Sequence, residues 1–399
     1  MYFYIFIHAH THPVKMNNSL LPNRKFIPAF LVLMALFILT INAQTGKPKK
    51  YIVNGYVGGY RGLVKVEEID AEKLTHINYA FVNVKDSIAF LTNLKTDSTN
   101  FRLLNGLKKI NPELKIVISI GGWSWSENFS DAVLTPTSRK LFAKSSVDIV
   151  RQYNLDGVDI DWEYPAMRGE EGNVYRPEDK QNFTLMFREI RVELDKLEAE
   201  RGRKYLLTAA VGGSKSFVNN TEMAEVAKIL DYILIMTYDY GGKTVAHHTN
   251  LYPSKGMENS SSAHKSVVDF IEGGVPAHKI GLGAAFYGKS REAETVMKNG
   301  LNQPVVSGSK VIAGQGGGYT KMRNEFINKN GYKRHWDRHA KAPYLFNPDT
   351  KVFITYDDER SIRMKAKYIR KHKLAGIFFW EYFSDPDEYL LKEIDRVLP

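Results

Sequence analysis

The stretch Asp156-Gly157-Val158-Asp159-Ile160-Asp161-Trp162-Glu163-Tyr164-Pro165 concentrates the acid chemistry of this sequence. On a strand, residues two apart share a face, so Asp159, Asp161 and Glu163 form one row with neighbours roughly 7 Å apart. Three carboxylates so placed cannot all ionise at small cost. Proximity and burial raise at least one pKa and let protons be shared along the row. The flanking Val158, Ile160 and Trp162 mark the segment as buried, which argues against a solvated acidic strand. Clustered carboxylates also suit a hard cation, but no nearby His or Asn completes a ligand set and the glycine of an EF-hand loop is missing. A proton relay is therefore the better reading, with Glu163, at the C-terminal end of the strand, as its donor. Asp156 lies off the row and reads as a structural partner.

The remaining composition narrows the chemistry further. The 399 residues include no cysteine, which excludes thiol nucleophiles, Cys-ligated zinc and disulfides and leaves oxygen, nitrogen and carboxylate groups. With 43% hydrophobic, 12% aromatic and 25% charged residues the chain is an ordinary globular protein. Its formal charge of +11 is swollen by Lys15, Arg24 and Lys25 in a stretch without acids; the other excess bases are dispersed, as on a solvated basic surface, so no nucleic-acid partner is expected.

The elements that must carry the row are short apolar runs alternating with amphipathic stretches. Eight runs read as strands: Tyr51–Val57, His76–Val82, Lys115–Gly121, Gly157–Trp162, Tyr205–Val211, Tyr232–Thr237, Lys279–Ala285 and Gly376–Trp380. Several are apolar throughout, as strands covered on both faces are. Pro136–Tyr153, Gln181–Glu200, Ala263–Glu272 and Asp358–Lys371 read as helices between them. This alternation predicts an α/β fold, a (β/α)8 TIM barrel. Residues 289–353 are too long for a plain loop and predict a small α+β insertion between strand 7 and helix 7. A doubly wound sheet is disfavoured, because neither Gly55-Tyr56-Val57-Gly58-Gly59 nor Gly314-Gln315-Gly316-Gly317-Gly318 has the spacing or placement of a phosphate-binding loop.

Arg24-Lys25, the apolar run Phe26–Ile41 and Asn42-Ala43-Gln44 read as a secretory signal over residues 1–43, with Met16 an alternative start. The run is shorter than the roughly 20 residues of a spanning helix, so release outside the cell or into a periplasm is expected ahead of an uncleaved anchor. Residues 44–399 are then expected to form one catalytic barrel.

The pattern Asp-x-x-Asp-x-Asp-x-Glu of residues 156–163 resembles the catalytic signature of family 18 glycoside hydrolases, the chitinase-like barrels. Ser119-Ile120-Gly121-Gly122-Trp123 resembles the family's Ser-x-Gly-Gly segment, Met236-Thr237-Tyr238-Asp239 its Met-x-Tyr-Asp segment, and Trp380 the tryptophan flooring its sugar site. The resemblance implies a retaining, substrate-assisted hydrolysis of β-1,4-linked N-acetylglucosamine, in which the substrate's acetamido group replaces the carboxylate nucleophile. It makes Glu163 the general acid/base, Asp161 the group that orients the acetamido N–H, Asp159 its proton partner and Tyr238 the donor to the acetamido oxygen. Asp239 would contact the distorted sugar, and Met236 would pack against the acetamido methyl. Trp380 and Trp123 would stack on sugar rings, and Gly122 belongs with them at the substrate. Ser119 and Tyr56 would hydrogen-bond Asp159.

One position departs from the resemblance, and one pair of residues finds no place in it. Lys289 stands where the family often has arginine, and His247-His248 has no role and reads as a solvated loop pair. The implied partner is chitin or a chito-oligosaccharide met by a monomer without metal, cofactor or obligatory membrane contact. Two other functions fit the same barrel: an endo-β-N-acetylglucosaminidase on N-glycans, and a non-catalytic chitin-binding lectin. The lectin is disfavoured because Glu163, Asp161 and Tyr238 are all present.

Overall fold

The computed structural model describes residues 49–308 and 317–398. The signal read over residues 1–43, and the first three residues of the Gly314–Gly318 run, lie outside the described residues.

Eight parallel strands close into a barrel. They are β1 (Ile52–Gly58), β2 (His76–Lys85), β4 (Lys115–Gly121), β5 (Gly157–Asp161), β6 (Leu206–Gly212), β7 (Tyr232–Met236), β8 (Ile280–Ala285) and β13 (Gly376–Trp380). Each pairs with the next in that order, and β13 returns to β1. A short strand, β3 (Ile88–Phe90), runs back along the end of β2. The α/β barrel expected from the alternation of runs is thus the fold.

The strand pattern explains itself in two layers of core. Val53, Val57, Ile118, Val158, Ile160, Leu207 and Ile235 point outward into one continuous apolar layer beneath the helices. Their neighbours Tyr56, Ala80, Ala210, Leu234 and Phe378 point into the barrel. Both faces of each strand are buried, hence apolar runs in place of a polar alternation. The helix Pro136–Tyr153 starts where Thr135 and Ser138 form a capping box with proline at the first turn, and it stops at Asn154 in a left-handed conformation.

Between β8 and the helix Glu359–His372 stands a second, antiparallel sheet. It consists of β9 (Lys289–Glu292), β10 (Lys333–Asp337), β11 (Ala342–Asn347) and β12 (Val352–Thr355), in the order β10-β11-β12-β9, with the helix Tyr319–Glu325 beside it in sequence. One boundary differs from the sequence reading in a way that matters for the site. Strand β5 ends at Asp161, because Trp162 leaves the ladder to stack on Phe129 at a ring separation of 5.2 Å. Glu163 therefore sits beyond the strand, at the C-terminal rim.

Candidate active site

Register places the first layer of the site. Asp159 on β5 lies level with Ser119 on β4 and Thr208 on β6, and residues level with one another on adjacent parallel strands point the same way. The Asp159 carboxylate consequently accepts hydrogen bonds from Ser119 Oγ at 2.7 Å and Thr208 Oγ1 at 2.6 Å. A third, at 2.8 Å, comes from the Tyr56 hydroxyl on β1. The Asn78 amide faces the same group without closing a hydrogen bond. Complete burial raises the Asp159 pKa, and these donors oppose the rise by favouring the anion.

Asp161, one layer higher, is buried too, and its Oδ1 has no hydrogen-bond partner among the described residues. Burial, then the charges of Glu163 and Asp159, push its pKa well up. Glu163 is held at about 7, chiefly by burial and with further repulsion from Asp239 and Glu170, while a Tyr164 hydroxyl contact and Lys289 pull the other way. The row cannot ionise fully at neutral pH, and its outermost member is poised to give and take a proton there.

Glycines bring the neighbouring loop into place. At Gly121 (φ 109°) an added Cβ would stand 2.3 Å from the Asp161 carbonyl oxygen, and at Gly122 (φ 85°) 2.6 Å from the Phe81 ring. Without side chains, Gly122 N–H donates to the Asp161 carbonyl at 2.7 Å. Ser126 Oγ accepts from the Glu163 N–H at 2.9 Å and donates to the Gly122 carbonyl at 2.8 Å. The Ser-x-Gly-Gly segment thus pins the backbone on either side of Trp162.

Around the carboxylates the barrel mouth is aromatic and apolar. Trp380 at the end of β13 stacks on Phe81 at 5.4 Å and meets Tyr56 at 5.7 Å. Met236 and Tyr238 pack into the same inner cluster. Burial and the charges of Asp161, Asp239 and Glu163 raise the Tyr238 pKa, keeping it a neutral donor. Trp123 stands out from the rim, 47% exposed, edge-on to Tyr164.

Asp239 has φ 62° and turns its carboxylate toward three partners. Lys289 Nζ lies at 2.8 Å, His248 Nδ1 at 3.4 Å, and the Tyr287 hydroxyl donates as well. Although burial acts against it, this company holds the Asp239 pKa far below the usual carboxylate range. The solvated reading of His247-His248 is corrected: both rings are buried. His248 lies beside Asp239, and His247 Nε2 is 3.4 Å from Asp337 on β10 with Tyr344 and Phe353 against its ring. The loop is folded beneath the antiparallel sheet, which a local reading of the sequence could not show. Asp156, at the other end of the strand, accepts from the Ile116 N–H and pairs with Arg203 and Lys108.

Thr208, Asn78, Phe81, Tyr164 and Tyr287 carry no role in the sequence reading. For Thr208 and Asn78 a signal existed, since a polar residue in an apolar strand needs a buried partner. Among the described residues no group of three or more His, Asp and Glu is arranged to hold a metal ion.

Sequence and structure comparisons agree on one family. The profile described as glycosyl hydrolases family 18 matches residues 52–385. Chitinase A1 of Niallia circulans is 36% identical over 94% of this chain, which spans 63% of that protein's length. A family 18 N-acetylglucosaminidase from Paenibacillus barengoltzii superposes with TM-score 0.80 at 42% identity, over 87% of this chain and all of that one. Chitinase ChiA74 from Bacillus thuringiensis does so with TM-score 0.81 at 33% identity, over 88% and 70%.

Proposed function

The chain belongs to glycosyl hydrolases family 18, and from that membership we propose that it is a chitinase that cleaves β-1,4-linked N-acetylglucosamine with retention. The observation that carries the reading is the graded row: Asp159 fully partnered, Asp161 with an unpartnered buried oxygen, and Glu163 protonated up to about neutral pH.

Each group has a step suited to its surroundings. The Glu163 carboxyl gives its proton to the glycosidic oxygen as the acetamido oxygen of the same sugar attacks the anomeric carbon. The bond to the leaving sugar breaks, and an oxazolinium ion forms. Asp161 Oδ1 accepts the acetamido N–H and balances the positive charge, while the proton it shares with Asp159 moves along the row. The Tyr238 hydroxyl holds the acetamido oxygen in line, a positional constraint that removes much of the entropic barrier. Water then attacks the anomeric carbon, surrenders a proton to the Glu163 carboxylate and reopens the acetamide.

Met236 packs against the acetamido methyl, and Asp239 meets the distorted sugar. Trp380 lies beneath that sugar and Trp123 under the leaving side, each offering a flat apolar face to sugar C–H groups. Tyr56 and Ser119 hold Asp159, and Gly122 keeps the cleft wall at backbone height. Every step uses side chains or substrate, so the reading needs no metal or cofactor. The substrate is taken outside the cytoplasm after removal of residues 1–43; among the described residues no helix is long and apolar enough to cross a membrane.

The Paenibacillus barengoltzii neighbour favours a second reading, release of single N-acetylglucosamine units. Time-resolved product lengths from a chitin hexamer separate the two: dimers and trimers from the first turnovers support the chitinase, monomer alone the glucosaminidase. Glu163→Gln tests the site itself. Turnover is expected to fall by about a thousandfold while hexamer binding by calorimetry persists, and near-normal turnover refutes the assignment.

A further inference from the structure

Among the described residues Lys365 is the one buried lysine, and the reaction above makes no use of it. It lies on the helix Glu359–His372, with its ammonium 2.5 Å from Asp357 Oδ2 and 2.6 Å from Thr249 Oγ1. Asp357 is equally buried. Its Oδ2 also accepts the Thr249 hydroxyl at 2.9 Å and the Ala285 N–H at 3.2 Å, and its Oδ1 accepts the Ser361 hydroxyl at 2.7 Å.

The groups tied to this pair are the immediate neighbours of the Tyr238–Asp239 cluster. Thr249 Oγ1 lies 3.4 Å from the carbonyl of Thr237, the residue before Tyr238. Thr249 itself follows His248, whose N–H donates to Thr355 on β12 at 3.0 Å. Ala285 ends β8 just ahead of Tyr287 and Lys289. One ion pair thus tethers the segments that carry Tyr238, Asp239 and all three partners of the Asp239 carboxylate.

Stability alone does not account for it. Removing two charges from water is costly, and a well-packed apolar pair of similar volume often serves a fold as well or better. A charged pair adds direction, because each tether must meet a fixed donor or acceptor.

We infer that Lys365 is a positioning residue for the proposed reaction: through the Asp357 carboxylate and the Thr249 hydroxyl it fixes the strand-end segments that present Tyr238 and Asp239 to the sugar. The inference rests on the reading of those two residues given above. Lys365 touches neither substrate nor reacting atoms, so its loss is expected in kcat more than in KM.

Substitutions at two independent places, Thr249 and the Lys365–Asp357 pair, test this on a chromogenic chito-oligosaccharide, with wild type and Glu163→Gln measured alongside. Thr249→Val removes only the hydroxyl and Thr249→Ser keeps it. Valine is expected to lower kcat three- to tenfold with KM within twofold, and serine to restore kcat to within twofold of wild type. The double variant Lys365→Met/Asp357→Leu replaces the ion pair by apolar side chains. It is expected to keep its circular dichroism and lose at least tenfold in kcat with KM within threefold. The inference is overturned if folded variants keep kcat within twofold, if serine and valine behave alike, or if neither variant folds, since the network would then serve the fold alone. Those failures leave the functional reading intact as long as wild type turns over and Glu163→Gln does not. An inactive wild type, or an active Glu163→Gln, brings down both.

Discussion

The Lys289 ammonium stands 2.8 Å from Asp239 Oδ1, so the one position where this sequence departs from the family's frequent arginine supplies a charge to the flank of Glu163. Asp239 repels the ionised form of Glu163 and Lys289 attracts it. Lys289→Gln removes the attraction and leaves the repulsion. Because the proposed reaction needs Glu163 protonated, an alkaline limb of the kcat/KM profile is expected near 7 in the wild type, where burial places the Glu163 pKa, and is expected to move to higher pH by about half a unit to one unit in the variant. A limb that stays put or moves down would show that Lys289 does not act on the acid.

Thr208 gives a sharper test of the buried end of the row. Its hydroxyl donates to Asp159 Oδ1 at 2.6 Å, and a hydrogen bond to a charged group contributes on the order of 1.5–3 kcal/mol. Thr208→Val keeps the shape and removes the donor, so the Asp159 anion becomes less favourable and the proton it should share with Asp161 stays behind. A roughly tenfold loss in kcat is expected with circular dichroism unchanged, measured in steady state at pH 6. Unaltered kcat would mean that Asp159 takes no part in proton sharing.

The contrast between Thr208 and His248 shows what was legible in the sequence. The inward row of Asp159 and Asp161 follows from a period of two, and the eight apolar runs follow from double burial, so the barrel and the placement of the row were both readable locally. Thr208 left a trace, a hydroxyl within Leu206–Gly212. His248 left none. Its burial depends on β12, more than a hundred residues later in the chain, closing over the loop through Thr355. Tyr287 and Lys289 reach Asp239 for the same reason, since they sit where β8 passes into the antiparallel sheet. Contacts made by an insertion with the barrel it stands on have no local period to announce them.

Chelation offers a third check. All proposed steps are carried by Glu163, Asp161, Asp159, Tyr238 and the substrate, and no described cluster of three or more His, Asp and Glu suits a metal. Dialysis against EDTA is expected to leave kcat within about 20% of the untreated enzyme. Activity lost to EDTA and regained with a divalent cation would contradict the substrate-assisted scheme.

The acid proposed to serve the reaction should weaken the fold at high pH. Folded Glu163 titrates near 7 against an ordinary value of 4.5, so between those values the folded protein retains a proton that the unfolded chain has released. Stability falls with rising pH wherever the folded state binds more protons, so this group's contribution is lost progressively from pH 4.5 to 7. At 1.36 kcal/mol for each unit the effect is on the order of 3 kcal/mol, shared in part with Asp161. Glutamine at 163 does not titrate and carries no charge to bury. Glu163→Gln is therefore expected to match the wild-type thermal midpoint near pH 4.5 and to exceed it at pH 8, measured by calorimetry at both. Equal midpoints at pH 8 would show that the folded protein accommodates the Glu163 carboxylate without strain, and the general acid would then need another explanation for its proton.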